Sequence, residues 1–507
     1  MIELAAGPAS EAASPPEPDE AFPREASTQP LRRSKWLGSS AAPAPGASLA
    51  AGTLNLLNTI VGGGILALPF AFRSVGLLTG VLYQLVFGAM SWYGCYLLLD
   101  CLQHAKTATS FEALAQAAFG RAGFLAYNLA ALVNCYGACV SYVIVVGDVL
   151  EPLCREMGVP LSRPLLLSLA VGGVILPLSS LRDISSLRCA SALAITIYAL
   201  FVLCLLLLPL LAPLDDVTSL APLDDDGGGE DGGGGGGGAG GGGGRGSPAL
   251  LRPDAAGWIR AVPLCAFAFM CQTSLFPIYQ ETRAPTRRRM LCLTSVAIAT
   301  AIAIYAAAGA AALSYFGDTL QGDVLLNLAA IDSYLVRAVR LGFGLSICLT
   351  YPCLHYAARR SLDQLLFGSA AEGANRGTPE WRLRLLTLVI VGSTLVLGLV
   401  LRKVEVVFGF TGAVASTALS YCLPAAIHLR LCPLPARALR RTWRSAAFLL
   451  VGLLLGLVSF GNHAYDTLAA LGEEANPDAT PNAIPNEEPG GGGLYGPSPP
   501  LPNSTAV

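Results

Sequence analysis

The sequence predicts an all-α integral membrane protein of eleven transmembrane helices, arranged as two inverted five-helix repeats plus one helix, with the first and sixth helices broken. Three observations predict it. Of the 507 residues 53% are hydrophobic and only 13% charged, about half the charged share of an ordinary soluble domain. Long, nearly charge-free stretches recur along most of the chain, each of about 17 to 28 residues, enough to cross a hydrocarbon core of roughly 30 Å as a helix. Charge is also sorted by side: counting alternate loops with the N-terminus inside puts about 22 of the 32 Lys and Arg on the cytoplasmic face, and the outer loops are acidic.

Residues 1–46 are rich in Ala, Pro, Ser and Glu and cannot bury enough apolar surface to offset ordering entropy. They read as a disordered cytoplasmic tail without a cleavable signal. The spans then run 47–72, 76–99, 123–147, 164–181, 189–211, 258–279, 290–316, 336–356, 385–401, 406–427 and 445–460. They form one eleven-helix domain, 47–463, interrupted by a glycine-rich outer loop at 212–257 that reads as a flexible linker. An odd number of spans puts the tail 464–507 on the extracellular or luminal side, where Asn503-Ser504-Thr505 is a glycosylation acceptor pattern. Most of the fourteen cysteines lie within apolar runs, which makes them small buried side chains rather than a disulfide framework. The net charge of −2 leaves no basic footprint for nucleic acid. The partners expected are the lipid bilayer and a small ligand, with the chain acting as a monomer.

Chemistry concentrates in the first span. Gly62-Gly63-Gly64 follows Asn55 and Asn58, and three glycines give up about 1 kcal/mol each of helix stability relative to alanine. A break there would leave amides pointing outward at the positive end of a helix dipole, a site for a carboxylate. Small residues also let membrane helices pack closely, which is the alternative. In the sixth span Cys271, Gln272, Thr273 and Ser274 precede Pro277, and the two interruptions occupy corresponding places in two halves of opposite direction, as in inverted-repeat transporters. The eighth span offers Ser346, Cys348, Thr350 and Tyr351. Hydroxyls and carbonyls suit Na⁺, with Asn55 or Asn58 completing the shell, although such hydroxyls also bond back to their own helix.

Nothing resembles an enzyme. His104, His355, His428 and His463 form no metal spacing, and no cofactor is expected beyond Na⁺ as a co-transported ion. Asp148, Glu281, His355 and Glu405 all fall near span ends, so a proton relay is not indicated.

The string Asn55-Leu56-Leu57-Asn58-Thr59-Ile60-Val61-Gly62-Gly63-Gly64-Ile65-Leu66-Ala67-Leu68-Pro69 resembles the first-helix signature of the amino acid/auxin permease family, in its sodium-coupled neutral amino acid transporter branch. Val174 to Ser179, Cys271-Gln272 with Pro277 and Tyr279, Val339-Arg340-Leu341 and Gly409 to Ala413 are weaker likenesses. The resemblance implies a LeuT-like bundle of the amino acid, polyamine and organocation type. It places a neutral amino acid at Val61, Gly62, Gly63 and Gly64 and between the broken helices, with Na⁺ at Asn55 or Asn58 and Thr350. Cys348 departs from the branch, where many members carry a second hydroxyl. The expected activity is secondary active transport of small neutral amino acids by alternating access. A non-transporting amino acid receptor on the same fold is the alternative.

Overall fold

The computed structural model describes residues 47–105, 108–159, 161–181, 188–211, 250–368, 379–432 and 439–475. The expectations for the tail 1–46, most of the glycine-rich loop and Asn503 lie outside the described residues. The protein is a bundle of helices: α1 (Leu49–Val61), α2 (Gly64–Val75), α3 (Leu77–His104), α4 (Phe111–Glu156), α5 (Arg163–Ser179), α6 (Arg188–Leu211), α7 (Ala255–Ala268) and α8 (Gln272–Glu281). There follow α9 (Arg287–Phe316), the short α10 (Val324–Ala329), α11 (Tyr334–Phe367), α12 (Glu380–Val400), α13 (Val404–Leu431) and α14 (Leu439–Ala475).

Among the described residues eight helical segments are long and apolar enough to cross a membrane, or nine when α1 and α2 are taken together; α5 is a shorter apolar helix. Leucines on α3 (Leu78, Leu82, Leu85), α6 (Leu200, Leu203, Leu206) and α14 (Leu450, Leu454, Leu457) are exposed. Such continuous apolar surface is what lipid covers. The last helix is the most peripheral, with 17% of its apolar window buried. It also continues past residue 463 to Ala475, anchored where Arg260 pairs with Asp466 at 2.7 Å and Asn462 bonds Asp466 at 3.0 Å.

The third predicted span is longer than its apolar core. α4 starts at Phe111 and turns at Gly120, whose φ of 60° is cheap only for glycine, so its first turns run at an angle to the rest. Ser110 caps this start, accepting from the Ala113 amide at 3.0 Å. The 34-residue α11 carries arginines toward both ends, and these pair within the bundle. Arg340 pairs with Glu156 at 3.3 Å, and Arg359 reaches Thr387 at 3.0 Å. α1, α2, α7 and α8 lie in the middle, packed by α3, α4, α9 and α13, with Leu56, Ile60, Ile65, Leu66 and Phe72 fully buried.

Candidate functional site

The glycine triplet falls where α1 ends and α2 begins, and the two axes are inclined by 55°. Gly62 leaves helical geometry with ψ −133°. The first amides of α2 have no carbonyl behind them within that helix. Ile65 and Leu66 manage only long bonds, 3.5 and 3.3 Å, to the Gly62 and Gly63 carbonyls. Close packing explains why glycine is needed at two positions. A Cβ on Gly63 would stand 2.8 Å from Tyr142 Cε1, and one on Gly64 2.9 Å from Ala268 Cα.

Ala268 is the last residue of α7, so the gap between α1 and α2 abuts the gap between α7 and α8. That second gap is Phe269–Cys271, with φ, ψ of −94°, 8° at Phe269 and −135°, 0° at Cys271. It ends on Cys271, the first residue of the polar run, rather than falling at Pro277, which sits inside α8. A proline six positions into a short helix forfeits one hydrogen bond without ending it, and Pro69 is likewise inside α2.

The carbonyl ends of both gaps are already occupied. The Tyr305 hydroxyl lies 2.5 Å from the Ile60 carbonyl and 3.1 Å from the Ala268 carbonyl, so one phenol on α9 bridges the two gaps. Ser91 on α3 donates to the Phe269 carbonyl at 2.7 Å. With the Ile60, Ala268 and Phe269 carbonyls taken and the first amides of α2 weakly bonded, the local chemistry favours a negatively charged ligand group.

The residues predicted from sequence divide into three groups. Val61 is buried, and Gly62, Gly63 and Gly64 form the gap. Gln272 is fully buried and spends its amide on the scaffold: Nε2 donates to Ser91 Oγ at 3.1 Å, and Oε1 accepts from the Cys271 amide at 3.0 Å and from Ser420 at 2.9 Å. Cys271 is buried beside Ser91 and Cys95. Thr273 and Ser274 are half-buried on α8; Thr273 contacts Met270 Sδ, while Ser274 meets Thr59 of α1 at 3.3 Å. Asn55 is exposed, whereas Asn58 Oδ1 is buried without a partner among the described residues, and Ser346 is buried beside Tyr198. Thr350 bonds back to the Ser346 carbonyl at 2.8 Å.

A match to a known family decides what this architecture is. The family model described as "Transmembrane amino acid transporter protein" matches residues 45–215 and 245–465. The chain belongs to that family. It is a multi-pass membrane protein of a family of transporters rather than enzymes.

Among relatives of this transporter-family chain, "Solute carrier family 38 member 10" of Mus musculus is 26% identical over 385 residues, 74% of this chain but 32% of that protein. The chain therefore spans about a third of that relative's length. "Vacuolar amino acid transporter 6" of Saccharomyces cerevisiae is 28% identical over 336 residues, 65% of this chain and 69% of that one. A solved structure, "Inward facing conformation of Mhp1", shares the fold with a TM-score of 0.51 at 12% identity, over 85% of this chain and 94% of that one.

Three residues at the heart of this family member escaped the sequence reading: Tyr142, Tyr198 and Tyr305. The Tyr142 hydroxyl lies by Thr350 and the Gly63 backbone, and the Tyr198 hydroxyl lies near Ser346 and Thr350. These two tyrosines connect α11 to the gap. Tyr198 and Tyr305 stand in mid-span, away from the interfacial belt where membrane tyrosines concentrate. A buried phenol needs a hydrogen-bond partner, so position along the span was the available signal.

Proposed function

We propose that the chain is a secondary active transporter of small neutral amino acids, coupled to Na⁺ and working by alternating access. In this reading α1 with α2, and α7 with α8, are each one discontinuous span. Adding α5 and α11 to the remaining helices makes eleven, five and five in opposite orientation plus α14. The N-terminus is cytoplasmic, the C-terminus extracellular or luminal, and the working unit a monomer.

The observation that carries the proposal is the junction of the two gaps. The Ile65 and Leu66 amides at the start of α2 are held only by long bonds of 3.5 and 3.3 Å, while Tyr305 and Ser91 hold the Ile60, Ala268 and Phe269 carbonyls opposite, which supports a substrate carboxylate rather than a free cation there. Asn58 Oδ1, buried and without a partner among the described residues, supports a Na⁺ shell completed by Ser346 and Thr350, since a buried oxygen left unbonded costs about 1–3 kcal/mol. Asn55 and Thr59 are exposed on α1, and polar groups at membrane depth favour a water-filled path. Domain rocking then exposes the junction to each side in turn.

The test is uptake of labelled small neutral amino acids into proteoliposomes with and without an inward Na⁺ gradient. Uptake driven by the gradient is the expected result. Ligand-induced thermal stabilisation without flux would replace the transporter by a receptor.

A further inference from the structure

At the end of the bundle marked by Arg287–Arg289, the tips of α3 and α13 bring together side chains that the linear sequence keeps far apart. On α3, Cys101 and His104 are three residues apart, and Asp100 and His104 four apart, so they share a face. His428 lies in the last turn of α13 and is followed four residues later by Cys432, which caps that helix. Ligand atoms of Asp100, His428 and Cys432 all lie within 4.8 Å of one another. Asp100 Oδ2 is 3.1 Å from His428 Nε2, and Cys432 Sγ is 3.4 Å from His104 Nδ1 and 4.0 Å from Cys101 Sγ.

These separations approach the edges of a metal shell. With Zn–S near 2.3 Å and Zn–N near 2.0–2.1 Å, tetrahedral ligand atoms stand roughly 3.3–3.8 Å apart. Asp100, Cys101, His428 and Cys432 are each no more than 3% exposed, whereas His104 is exposed and offers a way in. The surroundings also fit. Ser445 Oγ on α14 lies 3.1 Å from His428 Nδ1, the kind of outer partner that orients a ligating imidazole. Arg287 pairs with Asp100 at 2.9 Å. With Cys101 as the fourth ligand, a divalent ion, two thiolates, one carboxylate and that guanidinium sum to zero charge, which suits a buried place.

We propose that Asp100, His428 and Cys432, completed by Cys101 or His104, bind one zinc-class divalent ion. The ion clamps the tip of α3 to the tip of α13 and, through Ser445, to α14. The site is remote from the junction of the two gaps and stands whether or not transport is observed there.

The experiment uses the full chain purified in detergent, loaded with Zn²⁺ and then dialysed, with metal counted by mass spectrometry. About one equivalent should remain, and C432S and H428Q should each retain at least roughly tenfold less, while C292S, at an exposed cysteine on α9, keeps its metal. Co²⁺ should give the visible bands of a thiolate-ligated tetrahedral ion in wild type and lose them in C432S. For the case in which those variants misfold, wild-type protein in native membranes supplies a second readout. Zn²⁺ should slow alkylation of Cys101 and Cys432, and a chelator should restore it. Absence of bound metal, metal retained by both ligand variants, unchanged alkylation, or a Cys101–Cys432 disulfide in its place would overturn the proposal.

Discussion

Replacing Gly64 by alanine adds one methyl group at the point where the two gaps touch. The new Cβ would stand 2.9 Å from Ala268 Cα, 3.0 Å from Ala268 Cβ and 3.3 Å from the Tyr305 hydroxyl. The nearest atom is backbone, so relief requires α2 and α7 to separate rather than a side chain to turn. Overpacking of this kind costs about 1–3 kcal/mol. Alanine recovers about 1 kcal/mol of helix propensity, but by favouring the continuous helix that the site must avoid. If the displaced junction weakens binding by 1–3 kcal/mol, the loss is roughly 5- to 150-fold. Proteoliposome uptake with Gly64→Ala, normalised to inserted protein, should show that fall, mainly as a raised KM. Gly392→Ala on α12, where an added Cβ meets nothing within 4 Å, is the control and should transport normally. Wild-type KM and rate in Gly64→Ala would refute the reasoning.

Tyr305→Phe leaves the Ile60 and Ala268 carbonyls without their shared donor, which should cost about 1–3 kcal/mol and lower the melting temperature in detergent while reducing uptake. Gln272→Leu strands the Ser420 hydroxyl and the Cys271 amide together and removes one of the bonds to Ser91, so a stability loss of about 1–3 kcal/mol is expected by thermal melting. Asn58→Ala should raise the Na⁺ concentration for half-maximal uptake severalfold, and an unchanged Na⁺ dependence would remove Asn58 from the ion shell. Thr59→Cys should react with a membrane-impermeant thiol reagent faster than the wild-type chain does, because Thr59 is exposed on α1; equal rates would place that face against lipid.

What the sequence could convey followed from local physics. Three successive glycines are costly enough in a helix to mark residues 62–64 without any tertiary information. Pro277 misled for the same reason that it stands out: its defect is local and absorbed inside α8, while the second gap, at Phe269–Cys271, has no glycine or proline to announce it. Gln272 was legible as a buried polar residue but not as a scaffold residue, because Ser91 and Ser420 come from other helices. The four histidines form no spacing along the chain, yet His104, against Cys432, and His428, against Asp100, join one cluster at the tips of α3 and α13. Their cysteine and carboxylate neighbours are likewise gathered only by packing.

The most direct measurement of the central claim is a cryo-EM structure of the full chain with a small neutral amino acid and Na⁺. The account predicts the ligand carboxylate against the amides of Gly63 to Leu66, beside Tyr142, with α1 and α2 still separate. A ligand seated elsewhere in the bundle, or a continuous helix through residues 61–64, would contradict it.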